Sequence, residues 1–409
     1  MALHVMSEAN ACLQCKNPQC RKGCPINTNI PEAIRLLKEN KLNEAGWMLF
    51  ENNPLTTVCS LICNHEKQCE GHCIKGIKGT PVHFSVIENY ISTYYASQMT
   101  EGPKESNGIK AAIIGSGPAG ITIAIILARY GYDVTIFESK DKLGGVLRYG
   151  IPEFRLPKSV LDDIKYRHID LKGIKFRPNV LIGSAITMDD LFRDGYKAVF
   201  VGTGVWKPNA LHIPGETLGN VHFGINYLNN PEVFALGNRV IIIGAGNAAM
   251  DVARTAIRHG SHDITCFSIT KKVAASDYEF SYAQLEGIKF EYNYKPIQIV
   301  DDGVIFRKLE ESDDGQFTEV PDSDVKFESD SVIISISQGP ETRLLDEDKM
   351  IQTNSRGIVS IDETGHTSRP GVFASGDITS GAKTVVEAVA HSKVVAESMH
   401  QYMQGLVNG

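Results

Sequence analysis

The chain has 409 residues, 42% of them apolar, with 37 glycines and a dispersed net charge of −7. That length calls for two or three domains of α/β character, and the lack of a basic face argues against nucleic acid as a partner. No run approaches the roughly 18 apolar residues of a membrane span, and the opening MALHVMSEANA holds no secretory signal, so a cytoplasmic protein with no membrane role is expected.

Eight of the nine cysteines lie between Cys12 and Cys73. They read C-x2-C-x4-C-x3-C-P (Cys12, Cys15, Cys20, Cys24, Pro25) and then C-x3-C-x5-C-x3-C (Cys59, Cys63, Cys69, Cys73). In a chain without an export signal, clustered cysteines favour metal ligation over disulfides. Two structural zinc sites could use eight thiolates. Iron–sulfur ligation fits better, because a compact thiolate run ending in Cys-Pro is the form of a cluster-binding loop, although bacterial ferredoxins have x2 in place of this x4. His65 and His72 lie among the second set; as ligands they would favour zinc, and they read more simply as solvated loop residues.

Between the two cysteine groups, Asn29 to Asn53 carries two helical patterns, with Thr28 or Asn29 as a cap, Pro31 in the first turn, and Ile34, Leu37, Leu42, Ala45, Met48 and Leu49 as apolar stripes. Pro81 to Gln98 reads as a further helix. The polar connector Glu101 to Lys110 marks a domain boundary.

The next stretch runs strand, Gly115-Ser116-Gly117-Pro118-Ala119-Gly120, helix, strand, and ends on Glu138, 18 residues past Gly120. This is the context that makes a G-x-G-x-x-G motif informative. Its glycines let the backbone approach a pyrophosphate at a helix N-terminus, and Glu138 would hold ribose hydroxyls. A second copy follows at Gly244-Ala245-Gly246-Asn247-Ala248-Ala249. Two such folds imply two dinucleotides, most economically one flavin and one nicotinamide. Segments ending at Gly202–Gly204 and Ser331–Pro340 return the chain, and the acidic run Leu309 to Asp330 reads as a solvated hairpin edge. Near the C-terminus a strand leads to Gly376-Asp377 and then to a helix with Thr384 near its start. Asp377 can bond a ribitol hydroxyl, and the helix N-terminus can stabilise negative charge on a reduced flavin. The first fold is therefore interrupted by the second and completed by the tail. The domains expected are 1–107 (helical, iron–sulfur), 108–230 with 339–409 (flavin) and 231–338 (nicotinamide).

On these residues, together with LGGVLRYGIPEFRLP from Leu143, GAGNAAMDVAR from Gly244 and ASGDITSGAKTVVEAV from Ala374, the chain resembles the NAD(P)H–FAD–iron–sulfur subunits of glutamate synthase (small subunit) and of dihydropyrimidine dehydrogenase. The resemblance implies NAD(P)H at Gly244, Gly246, Asn247, Ala248 and Asp251. It implies FAD at Gly115, Gly117, Pro118, Ala119, Gly120, Glu138, Gly145, Arg155, Gly376, Asp377 and Thr384, with hydride passing from nicotinamide to flavin N5. Electrons would then leave singly through two [4Fe-4S] clusters. No acid–base or nucleophilic catalytic residue is required.

The family pattern further implies interleaved ligands. Cys12, Cys15, Cys20 and Cys73 would hold one cluster; Cys24, Cys63 and Cys69 would hold the other, with an oxygen from Glu88 where the related dehydrogenase has Gln. Cys59 would be spare, the alternative being Cys59 as ligand and Glu88 as an ordinary helix residue. The arginines that clamp a 2′-phosphate in NADPH-using relatives are replaced by Ser268 and Ile269, with Lys271 and Lys272 just beyond, which leans toward NADH. A thioredoxin-reductase-like activity would need C-x-x-C in the nucleotide domains, where Cys266 stands alone and reads as packed core.

The implied partner is an FMN/iron–sulfur dehydrogenase subunit that reduces pyrimidines, or alternatively the glutamate synthase large subunit. A stand-alone reductase working with ferredoxin is a further option. A non-enzymatic nucleotide sensor is disfavoured, since clusters beside a flavin have little purpose without electron flow.

Overall fold

The structure is a computed structural model and describes residues 2–312, 316–341 and 343–408. The chain folds into two compact units, one of residues 1–148, 153–205 and 340–409, the other of 149–152 and 206–339.

The first unit opens with a helical layer. In the helix Ile30–Lys38, Ile30, Ala33, Ile34 and Leu37 are buried on one stripe, Asn29 stands at the N-cap position and a proline occupies the first turn. This face packs with Leu49 of Leu42–Asn52 and with Phe84, Ile87 and Ile91 of Phe84–Gln98. A helix at Ala2–Ala11, not anticipated from its weak periodicity, adds Val5 and Ala9 to the same core. The connector 101–108 is exposed throughout.

Beyond the connector lies a parallel five-stranded sheet, ordered Val372–Ala374, Tyr196–Val201, Lys110–Ile114, Asp133–Phe137, Lys175–Arg177. The strand from the tail sits beside Tyr196–Val201, so the C-terminal segment completes the first sheet. The helices Pro118–Arg129 and Val385–Asn408 pack against each other. The apolar, largely alternation-free strands are those of a sheet covered on both faces.

The second unit holds its own parallel sheet, ordered Val221–Phe223, Ser331–Ile334, Arg239–Ile243, Asp263–Ser268, Lys289–Tyr292. An antiparallel group is attached, with Gly303–Glu311 paired to Tyr294–Val300, Phe317–Glu319 and Val325–Glu328. The acidic run forms part of this group, its residues 313–315 lying outside the described residues. This unit takes up the chain at 206, where the sequence reading placed the start at 231. Two pairings hold the earlier residues there: Lys207–Pro208 pairs with Gln338–Gly339, and Val221–Phe223 extends the second sheet beside Ser331–Ile334. The architecture is α/β, an all-α N-terminal domain followed by two dinucleotide-binding domains, the second inserted in the first. Among the described residues, no helix is long and apolar enough to cross a membrane.

Candidate functional site

The helices of the N-terminal layer distribute the eight cysteines into two neighbourhoods. Cys12, Cys15, Cys20, Cys69 and Cys73 line one recess, walled by Leu13, Pro18, Ile30, Ile34, Ile74 and Phe84. Burial, reinforced by the neighbouring thiols Cys73, Cys12 and Cys15, pushes Cys20 up to about 11, and burial also raises Cys12. Such thiols ionise only against a cation that offsets their mutual repulsion.

The second neighbourhood is drier. Cys24, Cys59 and Cys63 pack with Ile26 and Val386. Cys63 is raised by its hydrogen bond with Cys59, which favours the protonated Cys63 thiol, and by burial; Cys69 is raised by burial and then by the charges of Glu88, Glu70 and Cys24. The Glu88 carboxylate is 6% exposed, accepts a 2.7 Å hydrogen bond from the Thr56 hydroxyl, and is pushed up to about 7 by burial. Cys59 and Glu88 thus both stand among Cys24, Cys63 and Cys69. Among the described residues, no three Cys, His, Asp or Glu side chains form a group that would hold a single metal ion.

His72 is exposed, its Nδ1 2.6 Å from the Gln68 carbonyl. His65 differs from the solvated loop residue expected. Its own carbonyl accepts from the amides of Gln68, Glu70 and Gly71, which wraps the loop around it. The ring is turned inward, hydrogen-bonded to the Cys59 backbone, with Nε2 buried and without a partner.

The first glycine loop joins the strand Lys110–Ile114 to the helix Pro118–Arg129. A Cβ at Gly120 would lie 2.0 Å from the Gly115 carbonyl oxygen, so only glycine lets helix and strand close to this distance. Around Gly117 there is open space, the face a pyrophosphate would take. Gly145, at φ +52°, closes on Gly117, and a Cβ there would lie 2.8 Å from the Gly117 Cα. Gly376 approaches from the tail; a Cβ at that position would lie 3.0 Å from the Ala119 Cβ. Three separated segments therefore meet at Gly117, Pro118 and Ala119, at the C-terminal ends of the strands where nucleotides bind in such sheets.

Ser116, passed over in the sequence reading, organises this loop. Its amide and hydroxyl donate to Glu138 at 2.8 and 2.6 Å, while its Oγ and carbonyl both accept from the Gly144 amide at 3.1 Å. The other Glu138 oxygen accepts from Ser139 and from the Lys140 amide. The carboxylate proposed for ribose is thus already fixed in place, with the loop as its template. The signal available was a serine between two loop glycines facing an acid at the next strand end.

Asp377 accepts from the Lys383 amide at 3.2 Å and is pushed up to about 6 by burial. Thr384 caps the helix Val385–Asn408 reciprocally with Glu387, its amide donating to the carboxylate at 3.0 Å and its hydroxyl receiving the Glu387 amide at 3.4 Å. Arg155 is half-buried ahead of the helix Lys158–Ile164.

The second loop repeats the first. Gly246 faces open space, and a Cβ at Gly244 would lie 2.2 Å from the Ser335 carbonyl oxygen. Asn247 opens the helix Asn247–Arg258 and accepts from the Ser276 amide at 2.8 Å; Ala245 accepts from the amides of Ala274 and Ala275. Ala248 is in the first turn, and Asp251 is buried one turn further on. At the end of the neighbouring strand, the Ser268 and Thr270 hydroxyls bond each other, Lys271 pairs with Glu311 at 3.5 Å, and Lys272 is exposed. Cys266 is fully buried core, its thiol held far above the ordinary range by burial.

Two glycine loops, each opening a helix from a parallel strand and each keeping one backbone face clear, define a two-dinucleotide oxidoreductase, here preceded by eight thiols in two groups. The residues fit the groups such a protein holds: open backbone for two pyrophosphates, and soft ligands for iron–sulfur centres.

A family model described as pyridine nucleotide-disulphide oxidoreductase matches residues 109–392, and one described as dihydropyrimidine dehydrogenase domain II, 4Fe-4S cluster, matches residues 2–100. The chain belongs to this family and is an NAD(P)H-dependent flavin and iron–sulfur oxidoreductase. It is 31% identical to the small chain of NADPH glutamate synthase from Azospirillum brasilense, over 97% of this chain and 88% of that protein. It is 30% identical to subunit PreT of NAD-dependent dihydropyrimidine dehydrogenase from Salmonella typhimurium, over 98% of this chain and 95% of that one. The fold matches that of Mycobacterium tuberculosis FprA in complex with NADPH at a TM-score of 0.62 and 16% identity, covering 74% of this chain and 86% of FprA.

Proposed function

We propose that the protein is the electron-input subunit of a dihydropyrimidine dehydrogenase-type complex, oxidising NADH and passing electrons through two [4Fe-4S] clusters to a partner subunit that carries FMN and iron–sulfur centres. One observation carries the reading. The helix Val385–Asn408, which begins at Thr384 beside the flavin loop, packs Val386 against Cys59 in the second cysteine neighbourhood. The flavin end and the thiols thus share one rigid element within one folded unit.

FAD, when bound, supplies the conversion between two-electron nicotinamide chemistry and one-electron iron–sulfur chemistry. Gly115, Gly117, Pro118, Ala119, Gly120, Gly145 and Gly376 would form its cradle, with Glu138, Arg155, Asp377 and Thr384 as polar contacts. The N-terminus of Val385–Asn408 favours negative charge beside it. Gly244, Gly246, Asn247, Ala248 and Asp251 would hold the nicotinamide nucleotide.

Cys12, Cys15, Cys20 and Cys73 would hold one cluster, and Cys24, Cys63, Cys69 and Glu88 the other. Cys59, hydrogen-bonded to Cys63, then acts as a thiol donor to a ligand sulfur. Iron analysis of Glu88→Ala and Cys59→Ala tests this: the first variant is expected to lose iron and the second to keep it. Loss confined to Cys59→Ala would reverse the assignment.

NADH is favoured because no arginine follows the strand Asp263–Ser268 and Lys271 is paired with Glu311; the PreT relative is likewise named NAD-dependent. The ratio of kcat/KM for NADH and NADPH decides it, and a strong NADPH preference would overturn the choice. A second reading, the small subunit of a glutamate synthase, is supported by the similarity to that chain. Identifying the protein that co-purifies discriminates the two. A dihydropyrimidine-type partner supports the proposal, an amidotransferase partner supports the second reading, and full turnover with ferredoxin alone would replace both.

A further inference from the structure

The helix Val385–Asn408 makes a second contact beside the inner cysteine neighbourhood of Cys24, Cys59 and Cys63, a polar one to Asn52. Val386, Ala390 and Lys393 fall at i, i+4 and i+7, one face of the helix. Val386 and Ala390 belong to the apolar group around Cys24, Cys59 and Cys63. Lys393 is half-buried, and its ammonium donates to the backbone oxygen and to Oδ1 of Asn52 at 2.8 and 2.7 Å. Asn52 Nδ2 in turn donates to the Ile26 carbonyl and to Thr28 Oγ1, both at 3.2 Å. Thr28 is 4% exposed, and its Oγ1 lies 3.3 Å from Cys24 Sγ.

A protonated Cys24 can donate to Thr28. A ligating thiolate has no proton to give, so the roles reverse. Asn52 already occupies a lone pair of the Thr28 oxygen, which leaves the hydroxyl proton free to point at sulfur.

We infer that Lys393, Asn52 and Thr28 form a hydrogen-bonded chain that sets a hydroxyl proton on the Cys24 sulfur and so raises the reduction potential of the inner cluster. Hydrogen bonds to cluster sulfurs and nearby positive charge both stabilise the more negative reduced form, and each donor in the chain polarises the next. The inference rests on Cys24 being a cluster ligand, as proposed above. Lys393, Asn52 and Thr28 are positioning residues that act through Cys24.

The test is a potentiometric titration of the holoenzyme followed by electron paramagnetic resonance, with iron content measured on every sample. Thr28→Val keeps the volume and leaves the Lys393–Asn52 contact and the Asn52–Ile26 hydrogen bond in place. It is expected to move one of the two iron–sulfur waves to lower potential, by about tenfold in the reduction equilibrium or about 59 mV for one electron, and to leave the other wave alone. Thr28→Ser is expected to restore the wild-type value, and Lys393→Met to move the same wave by less.

Unmoved waves in Thr28→Val at full iron content would overturn the inference, as would equal movement of both waves. Should Thr28→Val lose iron, Lys393→Met carries the test by itself, its unmoved waves counting against the chain. Iron-free wild-type protein would instead defeat the assignment of Cys24 as a ligand.

Discussion

The two cysteine neighbourhoods place the same thiol chemistry in different surroundings. The outer one, around Cys12, Cys15, Cys20 and Cys73, is flanked by Leu13 at 63% exposure and Ile74 at 41%, and its side-chain neighbour Gln14 reaches Cys12 Sγ only at 3.8 Å. The inner one has polar groups held at hydrogen-bonding distance on several sides: Thr28 at Cys24, Thr56 at Glu88, the Cys59 thiol at Cys63. It also leans on the helix Val385–Asn408 through Val386. The difference teaches that potential and stability are set locally, by what the helices place behind each sulfur, and that the ligand spacing alone does not decide them. An exposed apolar rim around the outer set suits contact with another protein, while Cys59 and Cys69 of the inner set are buried.

The largest effect that could break this contrast comes from the ligands themselves. Cys12→Ala and Cys24→Ala should each lose about half the iron expected for two equal clusters. The surviving spectra should differ, with a larger fall in Tm for Cys24→Ala because its loss opens the buried side. Equal falls in Tm would remove the distinction between outer and inner.

A smaller effect is expected from His168, which stacks on Phe50 at 4.9 Å and so pins the helix that carries Asn52. Burial holds His168 down to about 4, below the ordinary 6.5. Its folded form binds protons less readily than its unfolded form. The stabilisation is therefore complete above pH 6.5 and is lost as the pH falls toward 4, by about 3 kcal/mol. The pH dependence of unfolding in wild type minus that in His168→Phe should show this loss, and parallel curves would contradict it.

Next in size, an iron chelator should remove the outer half of the iron several-fold faster than the inner half, as exposure dictates; the spectrum of the surviving cluster identifies which half went. The smallest effect is Leu13→Ser, expected to change stability by no more than about 0.5 kcal/mol. A larger loss in chemical denaturation would mean that the rim is structural.

Much of this was legible in the residues. The glycine loops could be read because their steric demand is local: Gly120 must let the helix touch the Gly115 carbonyl, and no other side chain satisfies that distance. The interruption of one nucleotide fold by another could be read because each closing strand is an apolar run ahead of small residues. What escaped was set by tertiary pairing. Val221–Phe223 is three half-buried residues with no pattern of their own, and its place beside Ser331–Ile334, with the pairing of Lys207–Pro208 to Gln338–Gly339, decides where the second unit begins. Ser116 carries no local signal of its own; its role is set by Glu138, which closes on it from the next strand. His65 looked solvated because nothing in its neighbours announces three amides folding back on one carbonyl. The grouping of Glu88 with Cys63 and Cys69, by contrast, was expected from the family resemblance alone; in the fold the packing of Thr56–Ile62 against Phe84–Gln98 sets Cys59 and Glu88, 29 positions apart, beside them.

The central claim is the interleaving, in which Cys73, last of the second cysteine run, belongs with the first. The most direct measurement is the spectrum and midpoint potential of the cluster that survives in Cys73→Ala. With interleaved ligands the survivor matches that of Cys12→Ala; a survivor matching that of Cys24→Ala would mean that Cys73 belongs to the second cluster.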